Sequence, residues 1–335
     1  MSVTIQDVAK QAEVSVATVS RVMNGNYPVK QETKERVLAV IKELNYIPNM
    51  QARELTTQQS TTIGVIVPSI NNMFFTEIVN GIDKYIGESN YSLMLTSSHG
   101  KAEQEQKCIS DFLARNVLGI IIVTPNIENI ENKYYETIAN KIPIVFVNFK
   151  SNIKGISSIY NDEEEGAKKA LEFLYKNKHR KIMFVRGEDS YSYDIKEKVY
   201  REFMSSRGVL NEKYIINIGK GNSSKTVDNT CEIFLDNINK EITAVFACND
   251  LMAVGIINGC KKKGIDVPKD ISIIGFDNIP LSKFIEPKLT TVDQNMFDLG
   301  NSAIKILLDN VSNNNKCENI SLGNKIIIRE TVKFI

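Results

Sequence analysis

Thr4 to Asn24, TIQDVAKQAEVSVATVSRVMN, constrains this chain more than any other stretch, because two short amphipathic segments are separated by so few residues that only a tight helix-turn-helix can join them. Thr4 can cap the first helix. Asp7, three positions on, completes a capping-box pattern and places a negative charge at the positive end of the helix. Val8, Ala9 and Ala12 then fall on one face, with Ala9 small enough for a second helix to cross closely over it. Ser15 caps that second helix, which turns Val19, Val22 and Met23 inward and leaves Val16, Ala17, Thr18, Ser20 and Arg21 on its first turns and outer face. A helix propped on another, with small and polar residues at its exposed end, is what a major groove can accept. A plain three-helix core would show the same spacing.

The segment carries more than spacing. The pattern V-T-x-x-D-V-A followed by V-S-x-x-T-V-S-R-V-x-N is matched at every fixed position from Val3 to Asn24, and in this it closely resembles the LacI/GalR family of bacterial repressors. The resemblance implies a DNA reader in which Val16 and Ala17 touch base edges and Arg21 reaches a guanine or phosphate. Ser15, Ser20 and Asn24 would hold the backbone, with Thr4 and Thr18 beside them. Glu13 departs from the pattern, since the family usually has Gly at that turn; a non-Gly residue at positive φ costs ~1 to 2 kcal/mol.

The chain has 335 residues, enough for two or three domains with cores of their own, and its 42% hydrophobic and 24% charged residues are those of an ordinary soluble protein. Net charge is only +1, and residues 1–60 carry seven Lys/Arg against six Asp/Glu. Affinity for DNA must therefore come from local placement of Arg21, Lys30, Lys34 and helix N-termini, doubled by dimerisation. Five cysteines without a C-x-x-C indicate neither a disulfide framework nor a zinc site, and two histidines, His99 and His179, leave little for metal or triad chemistry. No cofactor is expected. No basic-then-apolar leader follows Met1 and no apolar run approaches ~18 residues, so the expected location is the cytoplasm.

After a turn at GNYPV, Gln31 to Leu44 reads as a third helix whose Val37, Leu38, Ile41 and Leu44 close the small core, and Pro48 stops it. NMQARELTTQQSTT is polar and linker-like. The resemblance continues there through Pro48, Asn49, Ala52, Arg53 and Leu55, and implies a hinge helix that forms on DNA, with Leu55 wedged into the minor groove; a solvated tether is the alternative. From Thr62 onward short apolar strands alternate with amphipathic helices in two series, TIGVIVP to ISSIYND and KIMFVRG to ISIIGFDN. Parallel sheets covered on both faces follow from that texture. The expected fold is an all-α helix-turn-helix headpiece plus an α/β bilobed domain of the periplasmic-binding-protein type, built on two doubly wound parallel sheets. The expected segments are a reader over 1–47, a hinge over 48–60 and a bilobed domain over 61–335. Its first lobe takes 61–161 and 290–322, its second 162–289 and 323–335. Asn310 to Asn319 reads as a surface loop.

GKGNSSKT, Gly219 to Thr226, nearly spells a phosphate-binding loop, but Ser224 stands where the required glycine should be, and no second nucleotide signature accompanies it. No nucleophile elbow or H-E-x-x-H is present, so an enzyme is not expected. Ligands of open α/β sheets collect at the carboxyl ends of strands. Those ends carry Ser69 with Phe74 and Phe75, Asn148, Asn161 with Asp162, Asn249 with Asp250, and Asp277 with Asn278, a set suited to a hydroxyl-rich ligand. Each Asp or Asn could equally cap the helix that follows. The resemblance supports the ligand reading through C-N-D-x-M-A-x-G at Cys248 to Gly255 and G-F-D-N at Gly275 to Asn278. It also implies that Lys196 replaces an effector-gripping arginine, whose forked contact lysine cannot make.

These departures, with Val16 and Ala17, look like the catabolite-control branch of the family. That likeness implies a second partner, the serine-phosphorylated phosphocarrier protein HPr, docking on the helix around Asn295 to Leu308 with Phe297, Asp298 and Lys305 at contact positions; packing of that helix within its own lobe is the alternative. Operator DNA, a second copy of the chain, and either phosphorylated HPr or a sugar or sugar phosphate in the cleft are the expected partners. A solute-binding protein would share the lobes but needs a leader.

Overall fold

The computed structural model describes residues 3–25, 27–47, 60–188, 190–221, 225–312 and 317–335, and the chain divides into two compact units, Met1–Ser60 and Thr61–Ile335. In the first unit the capping box forms as its spacing requires. Thr4 Oγ1 accepts from Asp7 N at 3.3 Å while the Asp7 carboxylate accepts from Thr4 N at 2.8 Å, starting α1 (Ile5–Gln11). Glu13 turns the chain at φ 52°. Ser15 Oγ then accepts from Thr18 N at 3.2 Å to start α2 (Val16–Asn24), and α3 (Gln31–Glu43) closes the bundle. Val8, Ala9, Ala12, Val19, Val22, Val37 and Val40 form its core.

Leu38 is not among them. It is 45% exposed, and Val40 takes its place, because a residue adjacent to Val37 is rotated by about 100° around the helix whereas the residue three positions on returns to the same face. Asn45, at φ 47°, ends the third helix before Pro48 is reached.

The second unit runs β1 (Thr62–Val67), α4 (Met73–Gly87), β2 (Ser92–Ser97), α5 (Ala102–Ala114), β3 (Gly119–Val123), α6 (Ile127–Glu131), α7 (Tyr134–Ala139), β4 (Ile144–Val147) and β5 (Ile156–Asn161). It then crosses to α8 (Glu163–Lys176), β6 (Ile182–Glu188), α9 (Tyr191–Ser205), β7 (Ile215–Lys220), α10 (Thr226–Asn237), β8 (Ala244–Ala247), α11 (Asp250–Lys263), β9 (Ser272–Asp277) and β10 (Thr290–Asp293). The chain returns as α12 (Met296–Ser312) and β11 (Asn319–Leu322), and crosses a last time to β12 (Lys325–Ile327). One six-stranded sheet has the order β11-β5-β4-β3-β1-β2, the other β12-β10-β9-β8-β6-β7; β12 alone runs antiparallel to its neighbour. Central strands such as β3, β4 and β8 are buried along their whole length, which is why they read as continuous apolar runs.

Two boundaries differ from the sequence expectation. Thr290–Asp293, assigned to the first lobe, pairs with β9 in the second sheet in the register Thr290↔Ile274, so the return crossing comes after Asp293. Asn310 is helical and buried, donating from Nδ2 to Ser157 Oγ at 2.9 Å, so the polar stretch that follows begins later than expected. Back in the first lobe, α12 crosses α4 backbone to backbone. A Cβ on Gly300 would lie 1.9 Å from the Ile78 carbonyl oxygen, and one on Gly81 would lie 2.0 Å from that of Phe297, so neither position tolerates a side chain.

Asp250 anchors the second lobe from inside. It is fully buried at the start of α11, where one oxygen accepts from Thr291 Oγ1 on β10 at 2.5 Å and the other from Ile279 N at 2.9 Å. The carboxylate thus ties a helix start, a loop and a strand together.

Two expectations follow from these local conflicts. Replacing Glu13 by Gly removes left-handed strain at a modest entropic cost, and should stabilise the first unit by roughly 1 kcal/mol, or about 5 °C in its thermal midpoint; an unchanged or lower midpoint contradicts the strain. Burial pushes the Asp250 carboxyl up to about 7, above its ordinary value near 4, so the folded state holds a proton that the unfolded chain has released. Stability from this site is full below about pH 4 and is lost as pH rises through about 7. Urea unfolding should therefore show the wild type losing more stability than Asp250→Asn between about pH 5 and pH 8; identical pH dependence would refute it.

Candidate DNA-reading face and effector cleft

The geometry of α2 separates two jobs by side. Val19 and Val22 are buried against α1 and α3, while Val16 (42% exposed), Ala17 and Arg21 remain in solvent and Thr18 and Ser20 are half-buried. Positions 16, 17, 20 and 21 share one face of a helix. The Ser15 side chain is committed at the cap, where its hydroxyl also lies 2.9 Å from that of Thr18. Arg21 stands over the Tyr27 ring, its guanidinium carbon 5.5 Å from the centroid, which restrains it, and among the described residues no carboxylate pairs with it. Asn24 closes the helix. Thr4 belongs to the capping box of α1, and Asn49, Ala52 and Leu55 lie outside the described residues.

In the second unit, the strand-end residues sort into two groups. Phe74 and Phe75 are buried in the first lobe, stacked edge to face at 5.3 Å, and are core side chains rather than an exposed aromatic wall. Asp250 has both oxygens engaged internally, as described above, and is an interior group rather than an exposed one. Asn249 caps α11 through Oδ1 and donates from Nδ2 to Tyr193 OH at 3.0 Å and to the Gly221 carbonyl at 3.1 Å, so its amide is committed as well. Asn148 sits in the left-handed region at φ 58° at the end of β4, half-buried, with its side-chain Nδ2 3.4 Å from Thr124 Oγ1.

Lys196 and Asp277 are brought together. Lys196, only 1% exposed on α9, donates to Ser192 Oγ at 2.6 Å, lies 3.4 Å from Glu163 Oε2, and stands 4.1 Å over the Phe276 ring. Asp277 accepts from Gln294 Nε2 at 2.6 Å. Burial and the neighbouring Asp250 charge push its carboxyl well above the usual range, against the pull of Lys196. Glu163, Tyr193 and Gln294 are members of this cluster that sequence reasoning missed. Glu163 is the first of three consecutive glutamates that open α8, and a negative run at a helix start reads as ordinary dipole complementarity. Among the described residues no three His, Cys, Asp or Glu side chains are placed to hold a metal ion, and no helix is long and apolar enough to cross a membrane.

On α12 the proposed docking residues are outward. Phe297 is 37% exposed, with Lys84 Nζ 6.0 Å from its ring, and Asp298 and Lys305 are exposed on the same side, while Leu299, Ala303, Ile304 and Leu307 pack the lobe. Packing thus occupies one face of this helix and leaves Phe297, Asp298 and Lys305 on another.

Comparison with known proteins agrees with this arrangement. The family model "Bacterial regulatory proteins, lacI family" matches residues 4–49, and a periplasmic binding protein-like domain matches 171–332. The catabolite control protein A of Priestia megaterium is 36% identical over 92% of each chain, and that of Staphylococcus xylosus is 32% identical over 99% of this chain and all of the other. Among solved structures, a lac repressor dimer bound to operator and an anti-inducer superposes with a TM-score of 0.86 at 27% identity, covering 99% of this chain and all of that one. A helix with Val16, Ala17 and Arg21 exposed on its outer face, in a chain that shares this much sequence with such regulators along nearly its whole length, makes the chain a member of the LacI family of bacterial transcriptional regulators.

Proposed function

We propose that this protein acts in the cytoplasm as a homodimeric repressor of carbon or sugar metabolism genes, reading an operator with the outer face of α2 in the major groove. The observation that carries the reading is the exposure of Val16, Ala17 and Arg21 on a helix whose other side is locked into a core. Val16 and Ala17 meet base edges, Arg21 meets a guanine or phosphate, and Ser15, Ser20 and Asn24 steady the backbone, with hinge residues Asn49, Ala52 and Leu55 entering the minor groove. Dimer contacts fall on α4, on α11 and on 279–285. Support comes from exposed apolar side chains at those places, Met73 at the start of α4 and Phe284, which is 80% exposed. The role is regulatory, with no chemical step assigned to any residue.

Two inputs set operator affinity in this reading. A small effector between the lobes changes their angle and with it the separation of the paired readers. Serine-phosphorylated HPr docks on the outward face of α12 through Phe297, Asp298 and Lys305, with Lys305 facing the phosphate. The supporting observation is that these three side chains are exposed on the face of the helix opposite Leu299, Ala303, Ile304 and Leu307, which pack the lobe.

Arg21→Ala should weaken operator binding about 5- to 150-fold in a titration with labelled duplex while leaving the fold unchanged; undiminished affinity would overturn the reader assignment. Combining Phe297→Ala with Lys305→Glu should leave basal operator affinity intact and remove about tenfold or more of the gain conferred by phosphorylated HPr. Full retention of that gain would remove α12 from the mechanism.

A further inference from the structure

Beside the crossings between the lobes the described residues hold a single buried ammonium, that of Lys196, and its charge is already balanced within the protein. Lys196 Nζ lies 3.4 Å from Glu163 Oε2, with the two side chains 2% and 10% exposed, and it donates at 2.6 Å to Ser192. Glu163 Oε2 and Gln294 Oε1 are both buried, and among the described residues neither accepts a hydrogen bond, the Lys196 ammonium standing 3.4 Å from the first without donating to it. Even with Asp277 holding its proton, Glu163 cancels Lys196, so this floor offers acceptors in need of a donor and no net positive charge. Lys220, at the end of β7, is exposed and solvated, which makes it a weak source of affinity for an anion.

Resting on the reading of the cleft as the effector site, we propose that Glu163 sets the effector class: the floor accepts an uncharged, hydroxyl-bearing ligand and turns away the phosphorylated form of the same sugar. A hydroxyl supplies the proton that Glu163 Oε2 and Gln294 Oε1 lack, and then accepts from neighbouring groups in turn. A phosphate supplies mainly acceptors, and brings negative charge against a carboxylate that has already claimed the nearby cation. Glu163 is therefore a specificity-determining residue. Glu164 and Glu165 beside it point into solvent and have no part in the choice.

The test is calorimetric titration of the full-length protein with glucose, fructose and ribose, each paired with its own terminal monophosphate. Wild type, Glu163→Gln and the double variant Glu163→Gln with Lys196→Gln are compared. Wild type should prefer the neutral member of whichever pair binds by about tenfold or more. Glu163→Gln should cut that preference about tenfold, mainly by improving the phosphate, because Lys196 is released to meet it. The double variant, with no cation left, should return the preference to the neutral sugar. A purely structural role for Glu163 would lower both affinities together and leave their ratio unchanged, which would overturn the proposal. Tighter binding of the phosphorylated member to wild type would also overturn it, while leaving the cleft as an effector site. Absence of binding by every pair, with operator affinity intact, would overturn the cleft reading and this proposal together.

Discussion

A nine-residue helix that has to satisfy two surfaces at once is the constraint on which the rest of the molecule depends. α2 is too short to be stable alone, so Val19 and Val22 must be buried against Val8, Ala12 and Val37 for it to exist. That burial fixes its rotation, and with its rotation fixed, Val16, Ala17 and Arg21 have only one direction left. The turn before it is just as constrained. Glu13 accepts a left-handed backbone so that Ser15 can cap the helix one residue before Val16, and the first-turn N–H groups then face outward at the positive end of the helix, where phosphate is favoured.

In the second unit the chain crosses between the lobes three times at adjacent places. Amide side chains stitch them: Asn161 donates to the Gln294 carbonyl, Asn295 to that of Gly323 at 2.8 Å, and Asn324 to that of Asp162. These bonds join strands that are distant in sequence, so a change of lobe angle is shared by all three. Gln294 also donates to Asp277 in the second lobe, and α12 begins two residues later, clamped to α4 at Gly81 and Gly300. A continuous physical path therefore runs from the cleft floor through the crossings to the helices proposed to meet a second copy and a phosphoprotein. Two backbones in direct contact leave little room to absorb a displacement.

Much of this was legible in the sequence wherever the determining interaction is local. The capping box at Thr4, the cap at Ser15 and the strained Glu13 all follow from residues within a few positions of one another. Buried parallel strands announced themselves as apolar runs. Non-local determinants were harder to see. Thr290–Asp293 has nothing in its composition to say which sheet it joins, since that is decided by Asp250 and by β9 beside it. Leu38 looked like core by spacing alone, and only the position of the other helices shows that Val40 faces them. The rule that ligands gather at strand ends names positions in the sequence but says nothing of the direction of each side chain, and Phe74, Phe75 and Asp250 are interior. Glu163 is indistinguishable by type from Glu164 and Glu165, and burial beside Lys196 is what sets it apart.

The central claim is that α2 specifies which duplex is bound. Its most direct measurement is operator selection from a random duplex library, carried out in parallel with the wild type and with a variant in which only Val16 and Ala17 are exchanged for larger polar residues. Each selection should yield a two-fold symmetric site of the same half-site spacing, with the preferred bases changed only at the few symmetric positions facing those two side chains. An unchanged consensus, or a change scattered over the whole site, would contradict it.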